Sequence, residues 1–456
     1  MNSSTDTAAT SPTAVARPRP VLSVFDGVMI ITGIVIGGGI FSLPPLVASI
    51  AGSVEWMFYA WLLGAALALV GALCYAELST TFPDAGGDYH FLTRAYGKDV
   101  SFFFAWARIM VITTGSIALL AYVFGDYMSR ILPLGAYSSS IYAVVIVVLL
   151  TAVNIAGLRE SARTQNVMSG LLVLGMLIVV VAGFAAPAPA APAAAAAANA
   201  PNTPALAAFG TALLFVLFTY GGWNEAAYIS AEVKGGTRSI VKVLVLALLL
   251  ITAVYLLFVF ALLSGLGFDG LKASKAVAAD VAGRTFGPFG ERLIGAIAAL
   301  AALTSINATM LVSARTNYSL GRDWPLFAFM NRWSGARDAP VTAFVVTGML
   351  SLALVLLAAV NQGGVKFMVE FTAPVFWFFF LLTGIALFVL RFRFAHVARP
   401  YKVPMYPVLP IVFVATCAFL LYKSLEWALV NKAVQIALYV MAAGVVAWIV
   451  ARLRRG

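Results

Sequence analysis

The chain has 456 residues, of which 62% are hydrophobic and only 10% charged, with a mean hydropathy of +0.97. Soluble domains carry about 25% charged residues, so this composition suits lipid rather than water. A formal charge of +11 raises nucleic acid as a partner, and the placement of those charges along the chain argues against it.

Residues 1–20, MNSSTDTAATSPTAVARPRP, are polar and proline-interrupted, which predicts a disordered cytosolic tail. They hold no apolar core with a cleavage site, so the first helix is expected to be retained. Apolar runs of about 20 residues mark spanning helices. Twelve are predicted, at 22–44, 56–80, 101–128, 138–157, 165–185, 205–231, 240–265, 289–320, 340–360, 366–391, 406–424 and 433–451. With the N-terminus in the cytosol, cytosolic segments hold 20 of the 29 Lys and Arg residues and external segments hold 8. Arg108 alone stays inside a span, the third. That asymmetry is the positive-inside pattern, so the basic balance reports topology, with attraction to membrane lipid as a by-product.

The first span contains Gly33–Pro45, GIVIGGGIFSLPP, with three successive glycines at Gly37, Gly38 and Gly39. Glycine costs about 1 kcal/mol against alanine inside a helix, and unpaired backbone in hydrocarbon costs more. The sixth span carries a second cluster, Phe218-Thr219-Tyr220-Gly221-Gly222-Trp223-Asn224-Glu225. Either cluster alone is explained equally by close helix packing. Spans one and six are five apart, however, and a repeat with an odd number of spans inverts its second copy. Interrupted helices at matched positions of inverted repeats point to a transport site. Freed N–H groups at the start of a half-helix suit a carboxylate, and carbonyls at a half-helix end suit an ammonium group. Together they fit the head of an α-amino acid.

Between the two groups of spans lies the uncharged Ala/Pro-rich segment 186–204, read as a flexible external loop. Cys74 and Cys417 fall in apolar spans, so no disulfide framework is implied. His90 and His396 lie in or beside cytosolic loops, which argues against a histidine metal site. No phosphate loop, dinucleotide fingerprint, zinc spacing or nucleophile elbow occurs in the soluble segments, so an enzyme is not expected.

Several stretches resemble the amino acid–polyamine–organocation (APC) superfamily, nearest its L-type amino acid transporter branch. They are IGGGIFSLP, CYAELSTTFPDAGGDYHFLTRAYG at 74–97 and LFTYGGWNEAAYISAEVKGGTRSI at 217–240. Ser313-Ala314-Arg315, Gly321-Arg322-Asp323 and RPYKVPMYPVLP at 399–410 extend the likeness. The resemblance implies an all-α polytopic membrane protein of LeuT type: twelve helices in a 5+5 inverted repeat with helices one and six unwound. Residues 21–185 would form the first repeat, 205–392 the second, and 393–456 two peripheral helices with a short basic tail. It implies that Ile36, Gly37, Gly38 and Gly39 hold the substrate head group. Phe218, Thr219 and Gly221 would complete the site, Phe218 as an aromatic gate or as ordinary core.

For coupling, the lysine that related bacterial proteins carry midway along helix five is replaced here by Leu172 or a neighbour. A sodium site is one substitute, with Thr304 and Ser305 facing carbonyls of Gly33 and Ile36; such hydroxyls also serve as local hydrogen-bond donors. Glu225 is the other, as a proton carrier or as a structural cap on freed N–H groups. Arg108 reads as snorkelling to the cytosolic headgroups. Glu77 and Glu232 read as inner-gate partners of loop arginines or as solvated charge. Thr113, Thr114 and Ser116 are candidate liners of the substrate side-chain space.

No acidic residue is clearly placed for a cationic side chain, so a neutral amino acid is the expected substrate. The expected activity is secondary transport by alternating access, as exchanger or proton symporter. A polyamine or cationic amino acid carrier and a non-transporting sensor are the alternatives. No cofactor is expected beyond H+ or Na+ as coupling ion. The segment 129–140, SRILPLGAYSSS, has no cysteine, so a disulfide-linked heavy subunit is not expected. The location implied is a bacterial-type cell membrane with both termini cytoplasmic.

Overall fold

The computed structural model describes residues 22–84, 86–155, 162–187, 206–229, 233–331, 341–361, 364–429 and 432–454. The N-terminal tail, nearly all of the Ala/Pro-rich loop and Glu232 lie outside them. Among the described residues the chain is helical, and its one β-type pairing is an isolated parallel bridge between Leu22 and Val233.

The first span is α1 (Val24–Val35), α2 (Gly38–Ser42) and α3 (Pro44–Ala51). Ser23 caps α1: its hydroxyl accepts from the Asp26 N–H while the Asp26 carboxylate accepts from the Ser23 N–H. The second and third spans are α4 (Val54–Thr81) and the pair α6 (Lys98–Ala107) and α7 (Thr113–Ile131). Between them lies the short α5 (Asp88–Tyr96), which apolar periodicity does not announce. Next come α8 (Ser138–Ile155), α9 (Ala162–Ala185), α10 (Leu206–Thr219) and the four-residue α11 (Ala226–Ile229). The second half follows with α12 (Thr237–Ala273), α13 (Val277–Asp323), α14 (Val341–Val360) and α15 (Gly364–Arg393). Last come α16 (Val408–Leu429) and α17 (Lys432–Leu453).

Among the described residues, eleven helices are long and apolar enough to cross a membrane. The predicted sixth span is not one of them, because α10 stops after 14 residues, at the glycine cluster. Helices α12 and α13 overrun the spans predicted at 240–265 and 289–320. Each bends near the predicted limit, at Gly267 (φ 70°) and at Gly287 (φ 64°), which is followed by Pro288. The segments 268–273 and 277–286 are therefore short connecting helices, occupying in the second half the place that α5 occupies in the first.

Several packing pairs come in matched sets. Helix α7 packs on α15 as α13 packs on α9, and α7 on α8 as α13 on α14. Likewise α1 packs on α12 as α10 packs on α4. Each pair maps onto its partner when five spans are added and the order inverted. The pair α7–α13 maps onto itself and forms the centre of the molecule. This is the predicted 5+5 inverted repeat, with α16 and α17 packed outside on α15.

Candidate functional site

Both glycine clusters interrupt their helices. In the first, Ile36 leaves helical geometry (φ −74°, ψ 70°) and the Gly37 N–H turns back to the Val35 carbonyl at 2.7 Å. Helix resumes at Gly38 and runs on through α3, since Leu43 N–H donates to the Gly39 carbonyl at 2.8 Å and Val47 N–H to the Leu43 carbonyl at 2.9 Å. The first-turn amides of this half-helix, Gly38 and Gly39 among them, precede any helical acceptor. A Cβ on Gly38 would stand 2.8 Å from both methyls of Val123, so only glycine lets α2 lie this close to α7.

In the second cluster α10 ends at Thr219, a turn follows through Tyr220 and Gly221, and Gly222 adopts φ 110°. That conformation is closed to most L-residues. A 3-10 turn, Trp223–Glu225, then leads into α11. The hydroxyl of buried Tyr255 joins the two interruptions, reaching the Val35 carbonyl at 2.9 Å and the Thr219 carbonyl at 3.3 Å.

A cavity of about 140 Å³ lies between the interruptions. Gly37, Gly38, Gly39, Phe218, Thr219 and Gly221 all line it, as does Glu225. Ile36 does not: it is fully buried, although its neighbours Ile34, Val35 and Gly37 line the cavity. Thr113 and Ser116 line the wall contributed by the third span, whereas Thr114 points into packed core. Ala308 and Thr309 of α13 with Thr372 and Phe376 of α15 close the other side. The Phe218 and Phe376 rings meet edge to face at 6.4 Å between centroids.

The third span carries a feature that sequence reading missed. Between α6 and α7, Arg108–Ile112 forms a π-helical turn in which the Thr113 N–H donates to the Arg108 carbonyl five residues back. Such turns insert one residue and re-aim the side chains around them. Arg108, Ile112, Ser116 and Leu120 then recur every four residues on the cavity face.

Arg108 does not snorkel. It is buried, and one terminal nitrogen donates to both Glu225 oxygens, at 3.0 and 2.9 Å. Its guanidinium lies 4.5 Å from the centre of the Tyr228 ring. The Tyr228 hydroxyl donates to Asp88 at 3.1 Å, and Tyr75 and Thr383 donate to the same carboxylate at 2.6 and 3.2 Å. Burial pushes the Asp88 carboxyl above its usual range, against the lowering effect of the Tyr75 hydrogen bond and the Arg108 cation. Glu225 is therefore a salt-bridged wall residue rather than a cap on freed N–H groups.

Of the residues expected around sodium, the structure brings Ser305 to Gly33 and engages Thr304 elsewhere. The Ser305 hydroxyl donates to the Gly33 carbonyl at 3.2 Å. The neighbouring Thr304 hydroxyl turns to its own helix and to α9, 2.9 Å from the Leu300 carbonyl and 3.5 Å from the Met168 sulfur. Leu172 is buried in α9. Glu77 is buried rather than solvated. It accepts from Arg391 at 2.7 Å, lies 3.4 Å from Arg399 and caps the Val403 N–H at 2.7 Å. Cys74 and Cys417 are both buried.

Comparison with known proteins agrees with this architecture. The chain is 26% identical over 403 residues to human b(0,+)-type amino acid transporter 1, covering 88% of this chain and 81% of the relative. It is 27% identical over 398 residues to the serine/threonine exchanger SteT of Bacillus subtilis, covering 87% and 89%. It is 27% identical over 411 residues to mouse Asc-type amino acid transporter 1, covering 87% and 74%. A match to the family described as Amino acid permease runs over residues 22–449, nearly the whole chain. With two interrupted helices around one cavity and this match, the chain belongs to the amino acid permease family, membrane transporters of the APC superfamily close to its L-type branch.

Proposed function

We propose that the cavity between the two interruptions binds the zwitterionic head of a neutral amino acid, and that the protein exchanges such amino acids across the cell membrane by alternating access. The observation that carries this reading is the convergence of Gly37, Gly38, Gly39, Phe218, Thr219 and Gly221 on one cavity. The amide end of α2 supplies partial positive charge for the carboxylate. The chain turn after Phe218 and Thr219 supplies carbonyls for the ammonium group, and Ile36 lies at the corresponding turn of the first span. Phe218, paired with Phe376 on α15, is positioned to cover the ligand.

Exchange is favoured over symport by the relative named as a serine/threonine exchanger. A proton carried by Glu225 would also break its pair with Arg108. The reading places the chain in a bacterial-type inner membrane with both termini cytoplasmic and without a disulfide-linked heavy subunit. The relative named for serine/threonine exchange supports neutral substrates.

Purified protein in liposomes, given a panel of labelled amino acids with and without internal amino acid, tests this. Uptake of neutral amino acids only into loaded vesicles is the expected result. Uptake driven by a proton or sodium gradient into empty vesicles would replace exchange with symport. No uptake under any condition would leave a sensor as the better reading.

A further inference from the structure

Among the described residues lining the cavity, Arg108 and Glu225 are the only charged ones, and they meet on its wall from the third and sixth spans. Charges inside a membrane are costly and are kept where they do work. The pair is not a sealed structural bridge. The Glu225 side chain retains 17% exposure against 6% for Arg108, and it lines the cavity. The guanidinium spends one terminal nitrogen on Glu225, while its Nε has no partner. Arg108 is held from behind by the Tyr228 ring, and Tyr228 by its bond to Asp88.

We infer that the Arg108–Glu225 pair is the charge filter of the cavity, which it keeps neutral, restricting the substrate to amino acids whose side chains carry no net charge. A cationic side chain could reach Glu225 only by displacing Arg108, leaving a buried guanidinium without its counter-charge. An anionic side chain would strand Glu225 in the same way. Stranding one member of a buried pair is the costly event, whatever the net worth of the intact pair. Uncharged polar side chains meet no such penalty, and they find hydroxyls at Thr113 and Ser116 on the same wall. The filter is thus self-cancelling: either charge alone would select its opposite. This inference rests on the amino acid transport reading and assigns the residues that set its charge class.

The test uses full-length protein in liposomes, with labelled serine or alanine exchange competed by aspartate, glutamate, lysine and ornithine. Wild type is expected to be competed by neutral amino acids only. Glu225→Gln leaves the Arg108 charge unbalanced and should raise the affinity for aspartate or glutamate by about tenfold or more. Arg108→Gln should do the same for lysine and ornithine. The double substitution should return the neutral ranking. Where a variant exchanges slowly, ligand-dependent thermal shifts in detergent give the same ranking without transport. The pair swap Arg108→Glu with Glu225→Arg keeps neutrality and serves as the folding control. Variants that bind serine yet keep the wild-type charge ranking would overturn the filter and leave the transport reading intact. A wild type that neither binds nor moves any amino acid would overturn both.

Discussion

The Tyr255 hydroxyl stands 2.9 Å from the Val35 carbonyl, at the last residue of the first half-helix. It also stands 3.3 Å from the Thr219 carbonyl, at the last residue of α10. One proton from α12 is thus shared between the two places where the backbone stops being helical. Tyr255→Phe keeps the ring and removes the proton, taking one donor from the Thr219 carbonyl and leaving the Val35 carbonyl with the Gly37 N–H. The expected cost is about 1–3 kcal/mol, read as a lowered melting temperature in detergent, together with weaker amino acid binding. A variant as stable and as tight-binding as wild type would show that the carbonyls do not depend on Tyr255.

The second interruption depends on Gly222, whose φ of 110° no alanine adopts cheaply and whose Cβ would meet the Ile34 side chain at 2.9 Å. Gly222→Ala is expected to cost about 1–2 kcal/mol for the backbone alone and to abolish exchange. Gly170 on α9 is the matched control, with open space around its Cβ position. There alanine should be neutral or stabilising by up to about 1 kcal/mol. Melting curves and uptake of the two variants, side by side, separate a special glycine from an ordinary one.

The spans and both interruptions were legible because hydropathy and glycine runs are local signals. The glycine pair in span six even marks the residue, Gly222, that takes a positive φ. A motif shows which segment unwinds but not which side chain turns outward, and that of Ile36 is buried. The Arg108–Glu225 pair joins residues 117 positions apart in sequence, and nothing in either segment announces the other. The π-helical turn at Arg108–Ile112 that aims Arg108 inward contains neither glycine nor proline, so no breaker flagged it. The short helix α5 escaped for a different reason: it is amphipathic and brief, and its buried Asp88 gains its meaning only from Tyr75, Tyr228 and Thr383. Periodicity found the scaffold; the charged parts of the site are long-range facts.

The two walls from α7 and α15 approach closely at Gly115. A Cβ there would lie 2.0 Å from the Thr372 γ-methyl. Gly115→Ala should overpack this contact at a cost of about 1–3 kcal/mol and reduce the space open to substrate. Thr372→Ser removes that methyl and keeps the hydroxyl, which donates to the Met368 carbonyl at 2.8 Å. The double variant is therefore expected to recover uptake that Gly115→Ala loses. Failure of that rescue would mean the two helices meet differently.

Glu77 ties together three parts of the chain that are distant in sequence. Its carboxylate on α4 accepts from Arg391 at the end of α15, faces Arg399, and caps the Val403 N–H ahead of α16. The side chain is only 3% exposed and that of Arg399 9%, so solvent screens this cluster little. Glu77→Gln would leave two guanidinium groups close together with no anion between them. Breaking a buried pair from one side costs about 3–5 kcal/mol, and the expected result is a large fall in melting temperature and in the yield of folded protein. Arg391→Lys retains a cation but loses the two-pronged contact, so its loss should be smaller. Should Glu77→Gln melt with wild type, the cluster would be a solvated surface feature and the packing of α16 on α15 would have to rest on apolar contacts alone.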